Sequence, residues 1–188
     1  MDLTERSIET EQIYQGVLLD VRRDTVRLPD GETSGREWLK HPGAGAVVPV
    51  DAQGRVVLIR QYRFAPGREF WEVPAGKRDG DEAPLAVAQR ELTEEAGLTA
   101  SRWTPLGVTY PAIGYSDEAI HLYLAEDLSE VDRAVDDDEF VEPFRMPLAD
   151  AVELARTGQI EDSKSCVALL LAAAEIERRG EGGRPSTV

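Results

Sequence analysis

The chain of 188 residues contains 41% hydrophobic and 30% charged residues, an ordinary globular composition that suits one domain with a small appendage. Its net charge of -15 argues against long nucleic acids and anionic membranes as partners, because their phosphate groups would be repelled. The single cysteine, Cys166, cannot form an intrachain disulfide, and the charged N-terminus lacks an apolar signal core, so we expect a cytoplasmic protein.

Residues 8–40 are predicted to form antiparallel strands. Polar and apolar side chains alternate there over short spans, and Pro29-Asp30-Gly31 is typical of a hairpin turn. Such a small sheet cannot bury both faces alone, so we expect it to pack on the main domain or on a second subunit. We therefore assign residues 1–42 to an N-terminal β-strand element, 43–179 to the main domain and 180–188 to a disordered tail.

The main domain is predicted to begin with a pair of strands and a helix. The apolar segments AGAVVPV and RVVLIRQYR, joined by a turn at residues 51–54, indicate a strand pair covered on both faces. The helix that follows is predicted with Asp81 as N-cap, Pro84 in its first turn and Gly97 as its stop. Its apolar side chains fall on one side at helical spacing, at Leu85, Ala88, Leu92 and Ala96.

The remaining pattern predicts further strands and two closing helices. Strands are expected near residues 103–110 and 119–125 and in the segment VEPFRM, and helices near 148–157 and 163–178. Neither histidine has a second histidine or a cysteine at ligand spacing, so the sequence does not support a zinc site.

The first predicted helix carries closely spaced glutamates. Glu91 and Glu95 are four residues apart and project from one face, while Arg90 is placed to pair with Glu94. This leaves Glu91 and Glu95 as an oxygen pair suited to a hard cation such as magnesium. A solvated acidic face is the alternative. The cation site is favoured because the apolar stripe borders the glutamates and glycines flank the helix.

The segment GKRDGDEAPLAVAQRELTEEAGL, residues 76–98, resembles the signature of the Nudix hydrolase family at every defined position. The resemblance implies the Nudix fold, an α+β fold in which a mixed β-sheet is sandwiched between α-helices, here with a small N-terminal antiparallel β-sheet element. It also implies magnesium-dependent cleavage of a nucleoside diphosphate linkage, with manganese as a substitute for magnesium.

The same resemblance implies roles for individual residues. Glu91 and Glu95 would be metal ligands, with Glu94 as a further or bridging ligand and the Ala75 carbonyl as another. Arg90 would orient the glutamates. Three further positions belong to the motif: Glu82 would support the loop or bind a remote metal, and the glycines Gly76 and Gly97 flank the helix.

Segments outside the motif resemble the ADP-ribose pyrophosphatase branch: residues 61–63, 71–76 and 114–118. With the N-terminal strands, the resemblance covers most of residues 10–178 and implies cleavage of ADP-ribose to AMP and ribose 5-phosphate. Arg63 would bind the diphosphate, and Arg36 and Glu37 would reach the base and a phosphate across a homodimer interface. Glu118 would contact the terminal sugar. The alternatives are a surface arginine at position 63 and a plain exposed pair at 36 and 37.

The catalytic base in this branch comes from an acidic loop after the sheet. Glu139 matches that position, with Asp138 and Glu142 as alternatives. Two other functions stay open. The substrate could be GDP-mannose, another nucleotide sugar or a dinucleoside polyphosphate, or the chain could be a non-catalytic module that senses nucleotides. The sensing function is disfavoured because the chain keeps every motif carboxylate.

Overall fold

The computed structural model describes residues 1–133 and 140–181 and divides the chain into two compact units. The first unit consists of Met1–Gly43 and Tyr110–Ala119. The second consists of Ala44–Thr109 and the described part of Ile120–Val188. The sequence did not indicate that residues 110–119 group with the N-terminal strands.

The first unit is a three-stranded antiparallel sheet, β1 (Arg6–Gln15), β2 (Asp20–Arg27) and β3 (Thr33–Lys40), in the order β1-β2-β3. The hairpin predicted at Pro29–Gly31 is confirmed, since the amide of Gly31 donates to the carbonyl of Leu28 at 3.0 Å and Gly31 has a φ of 93°. Residues 110–119 are attached to this sheet by a 2.8 Å hydrogen bond from the amide of Leu39 to the carbonyl of Tyr115.

The second unit contains two sheets and three helices within the described residues. Its strands are β4 (Ala44–Pro49), β5 (Arg55–Arg63), β6 (Arg68–Glu72), β7 (Ala75–Lys77), β8 (Leu98–Thr109), β9 (Ile120–Glu130) and β10 (Val141–Pro147). Its helices are α1 (Pro84–Ala96), α2 (Leu148–Arg156) and α3 (Ser163–Glu181). One sheet has the order β7-β4-β9-β8 and is mixed, because β4 runs parallel to β9; the other is antiparallel, with the order β10-β5-β6.

The predicted pairing of β4 with β5 was wrong. The two strands belong to different sheets. One isolated bridge, between Val50 and Val56, connects the end of β4 to the start of β5. The reason is that both edges of β4 are occupied, one by β7 and the other by β9. The expectation that β4 is covered on both faces is confirmed, since all six of its residues are buried.

Helix α1 starts later than predicted. Its N-cap is Ala83 and not Asp81, because Pro84 occupies the first helical position and keeps Ala83 extended, with φ -68° and ψ 141°. The predicted stop is confirmed at Gly97, whose left-handed φ of 64° lets its amide bond the last helical carbonyls.

Apolar packing places helices on opposite faces of the mixed sheet. Val47 packs with Ala88 and Leu92 of α1, while its neighbours Ala46 and Val48 pack in a second cluster with residues of α2 and α3. The predicted helix–sheet–helix arrangement is thereby confirmed. In the described part of the chain, every helix is too short or too polar to cross a bilayer.

Candidate metal and catalytic site

Helix α1 buries two of its glutamates. Glu91 and Glu95 are 7% and 2% exposed and lie on the side of the helix that also buries Ala88 and Leu92. This confirms that the acids border the core. Buried carboxylates are costly unless they are hydrogen-bonded, paired or bound to a metal, so their position indicates a specific use.

The backbone of β7 lies directly against these carboxylates. The amide of Ala75 donates to Oε2 of Glu95 at 2.8 Å. A Cβ at residue 76 would lie 1.7 Å from Oε1 of Glu91, so only glycine leaves room for that carboxylate. Ala75 therefore presents its amide to Glu95, and Gly76 leaves the space that the carboxylate of Glu91 occupies.

Arg90 connects the glutamates of the motif. Its guanidinium bonds Glu94 at 2.8 Å, as predicted from the spacing, and Glu82 at 3.3 Å. It also bonds Oε1 of Glu91 at 2.7 Å, so the guanidinium of Arg90 contacts Glu91 as well as Glu94, and the role of Glu91 as a metal ligand stays a prediction. Burial on its own would lower the pKa of Arg90, but the hydrogen bonds and charges of these glutamates outweigh it and raise that pKa.

The donor chemistry of this cluster fits a hard divalent cation. Carboxylate oxygens of Glu91, Glu94 and Glu95 and the carbonyl of Ala75 are the ligand types that such ions prefer. The gap left by the missing Cβ of Gly76 brings one carboxylate against the backbone beside that carbonyl. Within the described residues, no group of three Asp, Glu, His or Cys side chains has the geometry to hold a metal ion. Arg90 instead holds Glu91 and Glu94.

Arg63 is held by a buried carboxylate. Its Nε and Nη2 donate to the two oxygens of Glu72 at 2.7 and 2.6 Å, and Lys164 donates to the same carboxylate at 2.5 Å. Burial by itself raises the pKa of Glu72, but Arg63 and Lys164 outweigh it and bring that pKa below its ordinary value. The diphosphate contact of Arg63 stays a prediction, with Nη1 as the nitrogen not used by Glu72.

The other proposed substrate residues lie in the first unit. Arg36 forms two hydrogen bonds with Glu5, at 2.8 and 2.5 Å, and Glu37 pairs with Arg23 at 3.0 Å. Glu118 lies 3.8 Å from Nε2 of His41. All of these pairs are internal to that unit, and the substrate roles stay predictions.

The predicted base, Glu139, and its alternative Asp138 lie outside the described residues. The other alternative, Glu142, is on β10 and pairs with Arg60. Sequence reasoning missed Glu72, Lys164 and Ser165. Their contacts join the start of α3 to residues 72–74, the segment before β7. An Asp-x-x-Ser pattern at residues 162–165 could have indicated a helix start, but its partners are distant in the sequence.

Two family models cover most of the chain. A model described as NUDIX domain matches residues 39–169, and one described as nucleoside diphosphate sugar hydrolase N-terminal domain matches residues 5–39. The chain belongs to the Nudix family. The resemblance on residues 76–98 is thereby confirmed, and members of this family of hydrolases generally depend on a divalent metal ion.

Curated relatives match this Nudix hydrolase over most of its length. An ADP-ribose pyrophosphatase of Bacillus subtilis is 41% identical, over 89% of this chain and 91% of the relative. An ADP-ribose pyrophosphatase of Mycobacterium tuberculosis is 38% identical, over 87% of this chain and 81% of the relative. A GDP-mannose pyrophosphatase of Cronobacter sakazakii is 31% identical, over 90% and 93%.

A solved structure supports the fold. The crystal structure of an ADP compounds hydrolase superposes with a TM-score of 0.83 and covers 96% of this chain and 98% of its own, at 23% sequence identity. The predicted α+β Nudix fold is therefore confirmed.

Proposed function

We propose that this Nudix hydrolase cleaves the diphosphate linkage of ADP-ribose, or of a closely related nucleoside diphosphate sugar, with Mg²⁺ as its cofactor. The products from ADP-ribose would be AMP and ribose 5-phosphate. The observation that carries this proposal is the near full-length similarity to two relatives named ADP-ribose pyrophosphatase, at 41% and 38% identity. The buried glutamates of α1 support it, because they are the oxygen donors that such chemistry requires.

Glu91, Glu94, Glu95 and the carbonyl of Ala75 would hold the divalent ion. When bound, such an ion supplies positive charge against the phosphoryl oxygens at which negative charge accumulates. The need for this charge follows from the electrostatics, since a protein with a net charge of -15 must bind an anionic substrate. Mn²⁺ is expected to substitute, because it also prefers oxygen ligands.

The chain's own residues would bind the substrate and move the proton. Arg90 orients the carboxylates of Glu91 and Glu94 through its two short hydrogen bonds. Arg63 would direct Nη1 at the diphosphate, since its other donors are fixed by Glu72. Glu139 would accept a proton from the water that attacks phosphorus.

Arg36, Glu37 and Glu118 would contribute the base, phosphate and sugar contacts of a homodimer in which the N-terminal strands take part. The present partners of Arg36 and Glu37 are the exposed side chains of Glu5 and Arg23, which a substrate could replace at small cost, whereas Glu118 lies beside the partly buried His41. Light scattering tests the dimer, and a monomer at all concentrations would contradict it. A cytoplasmic location belongs to the same proposal.

A second candidate substrate is GDP-mannose, which is favoured by the 31% identity to the GDP-mannose pyrophosphatase. The chemistry at phosphorus would be the same, and the difference would lie in the residues that contact the base and the sugar. A substrate comparison separates the two candidates.

The test is a panel of ADP-ribose, GDP-mannose, other nucleotide sugars and dinucleoside polyphosphates, each with Mg²⁺ and with Mn²⁺. We expect the highest kcat/KM with ADP-ribose, and product masses of AMP and ribose 5-phosphate. Glu95→Gln tests the metal site with little change in structure, since its amide oxygen can still accept the Ala75 N–H. It should lower kcat at least about 10²-fold because charge stabilisation is lost. Nucleotide binding without turnover in the wild type would support a sensing module instead.

A further inference from the structure

The segment that leads into β7 is fixed at three successive residues. The amide of Val73 donates to Oγ of Ser165 at 2.8 Å, and the carbonyl of Pro74 accepts from the amide of Val47 at 2.9 Å. The amide of Ala75 donates to Glu95 at 2.8 Å. The backbone beside the proposed metal ligand is therefore held from α3, β4 and α1 in turn.

Ser165 contributes a hydroxyl group whose orientation is fixed. The residue is 0% exposed and lies in the first turn of α3. Its Oγ donates to Oδ2 of Asp162 at 2.5 Å, which leaves the lone pairs of Oγ to accept the amide of Val73. Oδ2 of Asp162 also accepts from the amide of Ser165 at 3.0 Å, so the carboxylate is fixed as well.

A second contact joins the same helix turn to the same segment. Lys164, whose side chain is 12% exposed, bridges Asp162 at 2.9 Å and the buried carboxylate of Glu72 at 2.5 Å. Residues 72 and 73 are thus both bound by consecutive residues of α3. Neither Lys164 nor Ser165 belongs to the motif at residues 76–98.

We propose that Ser165 is a positioning residue which, through Val73, holds the Ala75 carbonyl in place and so sets the affinity of the site for its divalent ion. This inference rests on the proposed function above. The physical reason is their closeness in the chain: only Pro74 lies between the hydrogen-bonded amide of Val73 and Ala75, and loss of the bond leaves a buried N–H unsatisfied. The segment would relieve that penalty by moving, and the carbonyl would move with it.

The direct test removes the hydroxyl with Ser165→Ala and measures Mn²⁺ binding by electron paramagnetic resonance, without nucleotide. We expect the dissociation constant for Mn²⁺ to rise about 10-fold, the lower end of the effect of removing a residue that supports a metal ligand. The KM for nucleotide at saturating metal should stay within about twofold of wild type, whereas the metal concentration for half-maximal turnover should rise with the dissociation constant.

The matched control is Ala174→Gly on the exposed side of the same helix. Ala174 is exposed, and the substitution costs about 1 kcal/mol of helix stability, similar to one lost hydrogen bond. Ala174 lies outside the apolar cluster that contains Val73 and packs against Ala75, so the Mn²⁺ affinity of this variant should equal that of wild type. A dissociation constant in Ser165→Ala no higher than in Ala174→Gly would overturn the inference.

A second variant tests the same chain of contacts if Ser165→Ala folds poorly. Asp162→Ala removes the acceptor that orients the hydroxyl, so Mn²⁺ affinity should fall in the same direction but less. Asp162 also pairs with Lys164, so in the double variant the two effects should be less than additive, because only the part that passes through the hydroxyl of Ser165 is shared. Wild-type affinity in Asp162→Ala, or additive effects, would contradict the inference. A wild-type protein that bound no Mn²⁺ would instead overturn the proposed metal site, and this inference with it.

Discussion

Gly76→Ala separates the proposed function of the metal site from the stability of the fold. The new Cβ would lie 1.7 Å from Oε1, 2.3 Å from Cδ and 3.0 Å from Oε2 of Glu91, and real Cβ contacts below 3.0 Å are essentially absent. The carboxylate must therefore move by more than about 1 Å, a displacement of the size that costs about 10²-fold in rate at a reacting centre.

The expected cost in stability is small by comparison. The clashing atoms belong to the end of a flexible side chain, and Arg90 keeps its bonds to Glu82 and Glu94 when Glu91 turns away. We expect the free energy of unfolding to fall by about 1 kcal/mol, roughly the value of one hydrogen bond. Urea unfolding followed by circular dichroism measures it.

The assay is kcat/KM with ADP-ribose across a Mg²⁺ titration, together with Mn²⁺ binding. Gly180→Ala is the control, because a Cβ there meets nothing within 4 Å. We expect about a 10²-fold loss of kcat/KM in Gly76→Ala and none in the control. Wild-type turnover and metal affinity in Gly76→Ala would refute the reasoning, since Glu91 would then act from another position or not at all.

Gly45→Ala should lower the free energy of unfolding by about 3 kcal/mol, because the new Cβ would lie 2.5 Å from the backbone carbonyl oxygen of Pro84, which cannot rotate away as a side chain can. An unchanged urea midpoint would contradict this. Glu139→Gln should lower kcat about 10²-fold with little change in KM, because only the proton acceptor is lost, and a wild-type kcat would place the base elsewhere. Glu72→Gln should lower the free energy of unfolding by about 3 kcal/mol near neutral pH, because it leaves Arg63 and Lys164 without their buried counter-ion. The pKa of Glu72 in the folded protein lies below its ordinary 4.5, so this contribution is present above pH 4.5 and is lost as the pH falls through the lower folded value. A stability difference between wild type and Glu72→Gln that persists at low pH would contradict the assignment.

Local patterns in the sequence determined the elements and the motif. The alternation in residues 8–40, the glycine stop at Gly97 and the placement of Glu91 and Glu95 on one helix face depend on residues within a few positions of one another. Such short-range geometry is set by the periods of strand and helix, so it can be read from the order of residues. The start of α1 was misplaced because Pro84 overrode the cap expected at Asp81.

Only the tertiary structure decided which distant groups meet. Val73 and Ser165 are 92 positions apart, as are Glu72 and Lys164, and no sequence period relates them. The separation of β4 and β5 into different sheets likewise depended on β9, a strand far along the chain. The sequence therefore determined the candidate metal ligands through local geometry. The packing of α3 and β4 against the segment before β7 determined how that ligand set is held, because long-range hydrogen bonds form only once the core has brought their partners together.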